Sequence, residues 1–232
     1  MARRTTTTSL ALRHARRGLS AAAEAAAGLL RSGEAGPSLE ALERLTAAMP
    51  PQPVSIAMLQ ASSSDRSPKA RLLQAQFLHR ELTARRAHTL SLLYTMPSPL
   101  AEQPAVARLA NVYWERLKGL LELEPLSSEA SEREFAARMV AMNDVVQTQT
   151  PEEFMHIVDA LRECRHGDER LPPEEQLHVD RQLDAIFLAR IGMRSLLEHY
   201  VASETAVEGF AGIIEKRAPH RNSNPRAAAG RT

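Results

Sequence analysis

An all-α fold is predicted by three features of the sequence. Ala and Leu dominate its 232 residues, and Gly is sparse outside turns. No run of alternating β-branched residues indicates a strand, whereas apolar residues recur at helical spacing in four long segments. With 44% apolar residues, the chain can also bury a substantial core. Four long amphipathic helices joined by loops of modest length favour an antiparallel four-helix bundle.

The first 52 residues are predicted to precede this domain. Residues 1–19 contain five arginines and many Thr and Ser, and no acid occurs before Glu24. That composition is typical of a mitochondrial transit peptide, with cleavage expected before Ser20 and a matrix location; the alternative is a disordered basic tail. Residues 20–52 are predicted to be a low-complexity Ala/Glu helix and linker that ends in the Pro-rich break at 49–53.

Charge and cysteine usage narrow the class of protein. Without residues 1–19, the chain has 24 basic residues against 28 acidic ones, so we expect no nucleic-acid binding. The longest apolar run is well short of the roughly 20 residues that span a bilayer, which predicts no membrane span. A single cysteine, Cys164, excludes an internal disulfide and lacks the company of a zinc cluster, so no metal site is predicted.

The ends of the first two long helices are set by proline. The first is predicted from Pro68 to Tyr94, where Met96-Pro-Ser-Pro99 ends it. Its apolar face contains Leu73, Phe77 and Ala84, with Glu81 close beside them. The second is predicted from Pro104 to Leu123, before Pro125, and it contains Trp114, which is expected in the core.

The third segment is predicted to be interrupted. It begins in the cluster 127–131 and carries a stripe of four apolar residues: Phe135, Met139, Met142 and Val146. Thr150 and Glu153 form a capping box around Pro151, so the helix is expected to break or kink there and continue to Cys164. A polar loop at 165–173 then leads to the last helix, expected from Glu174 to Ser203.

Two arginines of the last helix are the main candidates for a binding site. At about 100° per residue, Arg190 and Arg194 lie among Leu183, Phe187, Leu197 and Val201. A buried cation needs a partner, so either an anionic ligand or a carboxylate of a neighbouring helix must compensate the pair. Glu81 is the ion-pair partner predicted by the second alternative.

Four sequence blocks resemble one family in their order along the chain. They are Val54-Ser-Ile-Ala-Met-Leu-Gln60, Ala75-Gln-Phe-Leu-His-Arg-Glu-Leu82, Asn143-Asp-Val-Val146 and Phe187-Leu-Ala-Arg-Ile-Gly-Met-Arg-Ser-Leu-Leu-Glu-His199. Residues 53–215 resemble the N-terminal regulatory four-helix domain of the mitochondrial protein-serine/threonine kinases of 2-oxoacid dehydrogenase complexes. These are the pyruvate dehydrogenase kinases and the branched-chain 2-oxoacid dehydrogenase kinases.

The resemblance implies two sites. Arg190 and Arg194 match arginines that face a small-carboxylate pocket, where 2-oxoacids bind; Met142 stands where the family has a histidine that assists the anion. Val54, Met58 and Ala61 lie where the family lines an apolar site for the lipoyl group. The implied partners are a lipoyl domain of the dehydrogenase complex, a second kinase chain in a dimer, and a small 2-oxoacid.

The resemblance also implies a C-terminal ATPase domain of the histidine-kinase type, which holds ATP and magnesium. No sequence of that kind follows residue 215, and residues 216–232 have the composition of a disordered tail. We therefore expect this chain to hold no cofactor and to be inactive on its own. Whether it is an enzyme stays open, because the family that it resembles consists of kinases. The alternatives are a non-catalytic protein that binds lipoyl domains or pairs with full-length kinase, and a histidine phosphotransfer bundle using His79, His88 or His156.

Overall fold

A computed structural model describes residues 21–30, 36–98, 100–166, 172–204 and 210–215. Within them the fold is all-α, as predicted. The helices are α1 (21–30), α2 (Leu39–Ala48), α3 (Ile56–Ser62), α4 (Pro68–Tyr94), α5 (Pro104–Leu121), α6 (Glu129–His166) and α7 (Pro173–Glu204), with a 3₁₀ turn at Leu100–Glu102. Two short strands, β1 (Phe210–Ala211) and β2 (Ile214–Glu215), pair antiparallel. The predicted transit peptide and the predicted tail at 216–232 lie outside the described residues.

Helix α4 is at the centre of the four long helices. It contacts α5, α6 and α7, while α5 packs on α6 and α6 packs on α7. The four long helices thus share one core. Large side chains fully buried between these helices include Leu82, Leu90, Leu109, Leu117, Phe135 and Ile186, and Trp114 is buried as expected.

The start of α4 follows from local sequence. Ser67 caps the helix, since its side chain accepts a hydrogen bond from the backbone N–H of Ala70 at 3.2 Å. Pro68 occupies the first turn, where no N–H is needed. Along the predicted apolar face, Ala84 is buried and Phe77 is half-buried, but Leu73 is 56% exposed.

The structure differs from the prediction in the third segment. Helix α6 continues from Glu129 to His166 through Pro151, so the break expected there is absent. A proline removes one backbone N–H and crowds the preceding turn. Here the 38-residue helix continues on both sides of Pro151, so the capping-box pattern of Thr150 and Glu153 does not start a new helix.

The segment predicted as a linker also differs. Within 20–52, α2 packs against α4, and Leu29, Leu42 and Leu45 are fully buried in the same core as the long helices. Ser38 caps α2 by accepting a hydrogen bond from the N–H of Ala41 at 3.3 Å. Ala41 is buried beside Leu42 and Leu45, so the Ala/Glu composition of this segment concealed an amphipathic helix that packs on the core.

Candidate functional site

An apolar groove opens between α3, α4 and α7. Its volume is about 300 Å³. Three groups of side chains line it: Val54, Met58, Leu59 and Ala61 from the α3 segment, Leu73, Phe77 and Leu78 from α4, and Leu196, His199 and Tyr200 from α7. The exposed Leu73 therefore belongs to the wall of this groove. Met58 is also half exposed, so the groove presents apolar surface to a ligand.

The segment before α3 is held on α4 by a buried carboxylate. Glu81 is fully buried and accepts a hydrogen bond from the backbone N–H of Gln52, with 3.0 Å between Oε2 and N. Its charge is compensated by Arg80 and by Arg85, whose Nη2 lies 3.4 Å from Oε2. Both arginines also donate to this segment: Arg80 to the carbonyl of Pro50 at 3.1 Å, and Arg85 to that of Gln52 at 2.8 Å. This cluster fixes the chain that leads into Val54 and α3.

The inner end of α3 is attached to α7 through His199. The Nε2 of this buried histidine lies 2.6 Å from Oγ of Ser63 and 3.1 Å from the carbonyl oxygen of Leu59. Burial lowers the pKa of His199, because the charged ring is poorly solvated there. A neutral imidazole therefore joins α3 to α7 at the floor of the groove.

Behind the groove, Tyr200 joins a polar network. Its hydroxyl donates to Oε1 of Glu132 at 2.7 Å, and its ring lies 4.6 Å from the guanidinium carbon of Arg71. Arg71 also pairs with Glu132 at 3.1 Å and with Glu204. Burial raises the pKa of Tyr200. The network joins α4, α6 and α7 on that side of the groove.

The β1–β2 hairpin packs on the same histidine. Gly212, at the turn, has φ +59°, and a Cβ added there would lie 2.9 Å from the carbonyl oxygen of His199 and 2.5 Å from its Nδ1. Only glycine fits this close approach and adopts the left-handed conformation at little cost. The hairpin is thereby docked against the end of α7.

A second, smaller pocket contains the predicted arginines. Its volume is about 40 Å³, and it lies between α4, α5 and α7. Four guanidinium-bearing residues line it, together with Leu82, Tyr113, Met193 and Leu197: Arg86, Arg116, Arg190 and Arg194. The structure thus brings Arg190 and Arg194 together, and it adds two arginines that the sequence pattern did not indicate.

The two predicted arginines are less buried than expected. Arg190 is half-buried, and the side chain of Arg194 is 49% exposed, with Nε donating to Glu198 at 2.7 Å. The buried face of α7 is centred on Ile186, Met193 and Tyr200, which places Arg194 about 100° away at 100° per residue. The sequence pattern predicted that the stripe through Phe187 and Val201 is the buried centre of this helix. That prediction is wrong, because both residues are only half-buried.

Neither Glu81 nor Met142 lines the arginine pocket. The contacts of Glu81 described above join it to Arg80, Arg85 and Gln52. The Sδ of Met142 is 3.0 Å from Nη2 of Arg86. Val54, Met58 and Ala61, in contrast, all line the apolar groove. The sequence analysis did not predict the part of the groove formed by α7, which consists of Leu196, His199 and Tyr200. These residues are distant in sequence from α3, and their position on the buried face of α7 is the only signal that could have pointed to them.

No metal site is evident in the described part of the chain, where no group of three or more His, Cys, Asp or Glu side chains converges. Among the same residues, no helix combines the length and apolarity needed to cross a membrane.

Comparison with known proteins identifies this helical domain. The family model described as mitochondrial branched-chain alpha-ketoacid dehydrogenase kinase matches residues 53–221. The chain belongs to this kinase family, and the match corresponds to its N-terminal regulatory domain. One relative is a mitochondrial [pyruvate dehydrogenase (acetyl-transferring)] kinase of Arabidopsis thaliana, 26% identical over 130 residues. The alignment covers 56% of this chain and 34% of the relative, so the chain spans about a third of that protein's length.

Proposed function

We propose that this chain is a docking and regulatory module that attaches a mitochondrial kinase to a 2-oxoacid dehydrogenase complex. The apolar groove between α3, α4 and α7 carries the proposal, with its occupant the lipoyl group borne by the complex. The family match and the mitochondrial relative support a mitochondrial location, which we assign to the matrix. Phosphorylation of the dehydrogenase is the activity that this module would regulate.

The groove has the chemistry that a lipoyl group needs. Its walls are mostly aliphatic or aromatic, and its polar lining residues are Ser62, Asp65, Gln74 and His199. The volume of about 300 Å³ is at the lower end of the range for small-molecule sites. Leu73 and Met58 are exposed at its surface, and covering them would remove apolar area from water. A flexible acyl chain ending in a sulfur ring can fill such a groove without needing a charged partner.

The experiment is a binding titration of the whole chain with a lipoylated and a non-lipoylated form of the same lipoyl domain. We expect binding of the lipoylated form only, and a loss of at least tenfold in affinity for Leu73→Asp. Leu177→Asp is the matched control, since Leu177 is 54% exposed against 56% for Leu73 but lies outside the groove. Equal binding of the two forms of the domain, or equal loss in the two variants, would contradict the proposal.

A parallel phosphorylation assay separates a catalytic from a non-catalytic chain. The same preparation is incubated with ATP, magnesium and the dehydrogenase complex. Binding without transfer of phosphate supports the interaction protein, which docks on lipoyl domains or pairs with complete kinase. Transfer that depends on this chain supports the kinase alternative.

The arginine pocket favours a second function, the sensing of a small anion. Arginine is suited to carboxylates because its planar fork donates two parallel hydrogen bonds. We propose that a 2-oxoacid binds there, next to Arg190. A ligand that binds the folded state stabilises it, by about 2.7 kcal/mol at a hundredfold excess over Kd. Arg190→Met should remove this stabilisation while the chain stays folded, and a parent protein whose Tm ignores 2-oxoacids would contradict the assignment.

A further inference from the structure

The outer face of α7 carries an exposed apolar stripe. Leu177, Leu188 and Ile191 are 54%, 68% and 62% exposed, although all three belong to a 32-residue helix that packs on the core. Two charged residues, Arg181 and Asp184, lie between them and are also exposed. None of the five lines the apolar groove or the arginine pocket. These five residues, called the outer stripe below, therefore belong to neither of the sites proposed above.

The outer stripe has the spacing of a coiled-coil seam. Its members at positions 177, 181, 184, 188 and 191 are separated by four, three, four and three residues. This is the spacing of the a and d positions, along which two helices pack side by side. At 100° per residue the five fall within about 80° of arc, on the side of α7 opposite to the buried Ile186 and Met193. The stripe is thus shaped for contact with a further helix.

The two charges determine how a second copy of α7 could lie on this stripe. In a parallel pair, each seam residue faces its own copy, so Arg181 would meet Arg181 and Asp184 would meet Asp184. Like charges in contact are repulsive, which disfavours the parallel arrangement. In an antiparallel pair, a positions face d positions, and opposite charges can meet.

One antiparallel alignment satisfies every seam residue from 177 to 188. When the two helices are centred between Gln182 and Leu183, Arg181 lies opposite Asp184 of the second copy, and Leu177 lies opposite Leu188. A shift by one heptad in either direction would place Asp184 opposite Leu188 or opposite Glu174. The first shift buries a charge against an apolar side chain, and the second brings two acids together. The stripe is therefore self-complementary in a single register.

We propose that the outer stripe is an interface at which two copies of this chain pair through antiparallel α7 helices. A two-fold axis then passes between Gln182 and Leu183, so that two Arg181–Asp184 ion pairs form at the centre and one Leu177–Leu188 layer lies on either side. The ion pairs fix the direction and register, while the leucines are removed from water. The proposal goes beyond the docking function and depends on neither of its sites.

The length of the stripe limits the strength of this dimer. At 1.5 Å per residue, the distance along the helix from position 177 to position 191 is about 21 Å. A contact between two helix segments of this length is at the small end of specific interfaces, below about 1,200 Å². We therefore expect a reversible dimer that dissociates in the micromolar range.

The test is sedimentation velocity of the whole chain over a range of concentrations, with charge reversals in the stripe. The parent chain should form dimers as its concentration rises. Arg181→Asp places acids against acids across the axis, and Asp184→Arg places arginines against arginines, so each variant alone should dimerise more weakly by about tenfold or more. An equimolar mixture of the two variants should recover the parent affinity within about threefold, because each chain then meets the opposite charge.

Two controls separate the stripe from general surface effects. Leu188→Asp should weaken the dimer, whereas Ile56→Asp should not, since Ile56 on α3 is 67% exposed against 68% for Leu188. Arg108→Asp reverses a charge at an exposed position of α5 and should also leave dimerisation unchanged. Circular dichroism verifies that each variant keeps its helices, which is expected because all the altered side chains are exposed.

The results that would overturn the inference are distinct from those that concern the groove. A parent chain that stays monomeric at about 1 mM would overturn it, including the case in which the stripe binds a helix of a different protein. Dimers that withstand both charge reversals, or a mixture of the two variants that does not recover, would place the contact elsewhere and also overturn it. Leu188→Asp should retain the lipoyl-domain binding of the parent, because Leu188 lies outside the groove, so dimerisation and docking can fail separately.

Discussion

Replacement of Glu81 by glutamine would test the polar cluster that holds the segment 50–53 on α4. Glutamine keeps the shape of the side chain and can still accept the N–H of Gln52, but it removes the charge. Arg80 and Arg85 then lose the carboxylate that both contact. The change therefore isolates the ionic part of the cluster from its packing.

The expected loss of stability follows from how deeply the three charged side chains are buried. Glu81 is fully buried and the side chain of Arg85 is 16% exposed, whereas that of Arg80 is 30% exposed and can regain water. Breaking a buried ion pair costs about 3–5 kcal/mol. Because Arg80 is partly solvated, we expect the lower end, about 3 kcal/mol in the free energy of unfolding. For a domain of this size, that corresponds to a fall in Tm of about 6–12 °C.

Urea and thermal unfolding followed by circular dichroism would measure the loss. Glu134→Gln is the matched control: it removes an exposed partner of Arg138, with side chains 68% and 55% exposed, and should cost at most about 0.5 kcal/mol. A loss below about 1 kcal/mol for Glu81→Gln, or one equal to the control, would refute the view that this carboxylate fixes the segment.

Two further predictions concern Gly212 and the histidines His88 and His199. Gly212→Ala should detach the β1–β2 hairpin from α7, because φ +59° is costly for alanine and the new Cβ would meet His199. The measurement is amide hydrogen exchange, which should become faster at 210–215. Gly119→Ala is the control: no atom lies within 4 Å of its new Cβ, so exchange at 210–215 should stay unchanged. Burial lowers the pKa of His199 and His88 below the ordinary value of about 6.5, so the folded state binds fewer protons than the unfolded one. Stability should be constant above that value and fall as the pH is lowered through it, and unfolding free energies that rise between pH 7.5 and 5.5 would contradict this sign.

Much of the helical architecture could be predicted from local signals. Pro68 and Met96-Pro-Ser-Pro99 mark the ends of α4, and Pro104 marks the start of α5, because proline has fixed effects on backbone hydrogen bonding. Pro151 shows the limit of that reasoning, since α6 continues through it.

The sites were less predictable than the helices. The apolar groove requires α3, α4 and α7 to meet, and only its α3 part was indicated by sequence. In the arginine pocket, Arg86 and Arg116 lie on helices whose faces give no sign of convergence with Arg190. Periodicity also misplaced the buried centre of α7, because His199, Gln182 and Ser203 are polar residues on its buried face.

The position of α2 has a practical consequence for fragments of this protein. The family match begins at residue 53, yet Leu42 and Leu45 complete the core from before that boundary. A fragment that begins at residue 53 would expose the apolar surface of α4 that these leucines cover. Such a fragment would self-associate on purification, whereas one that begins before α1 would keep this surface covered. Binding measured with the short fragment would then report on that surface rather than on the groove.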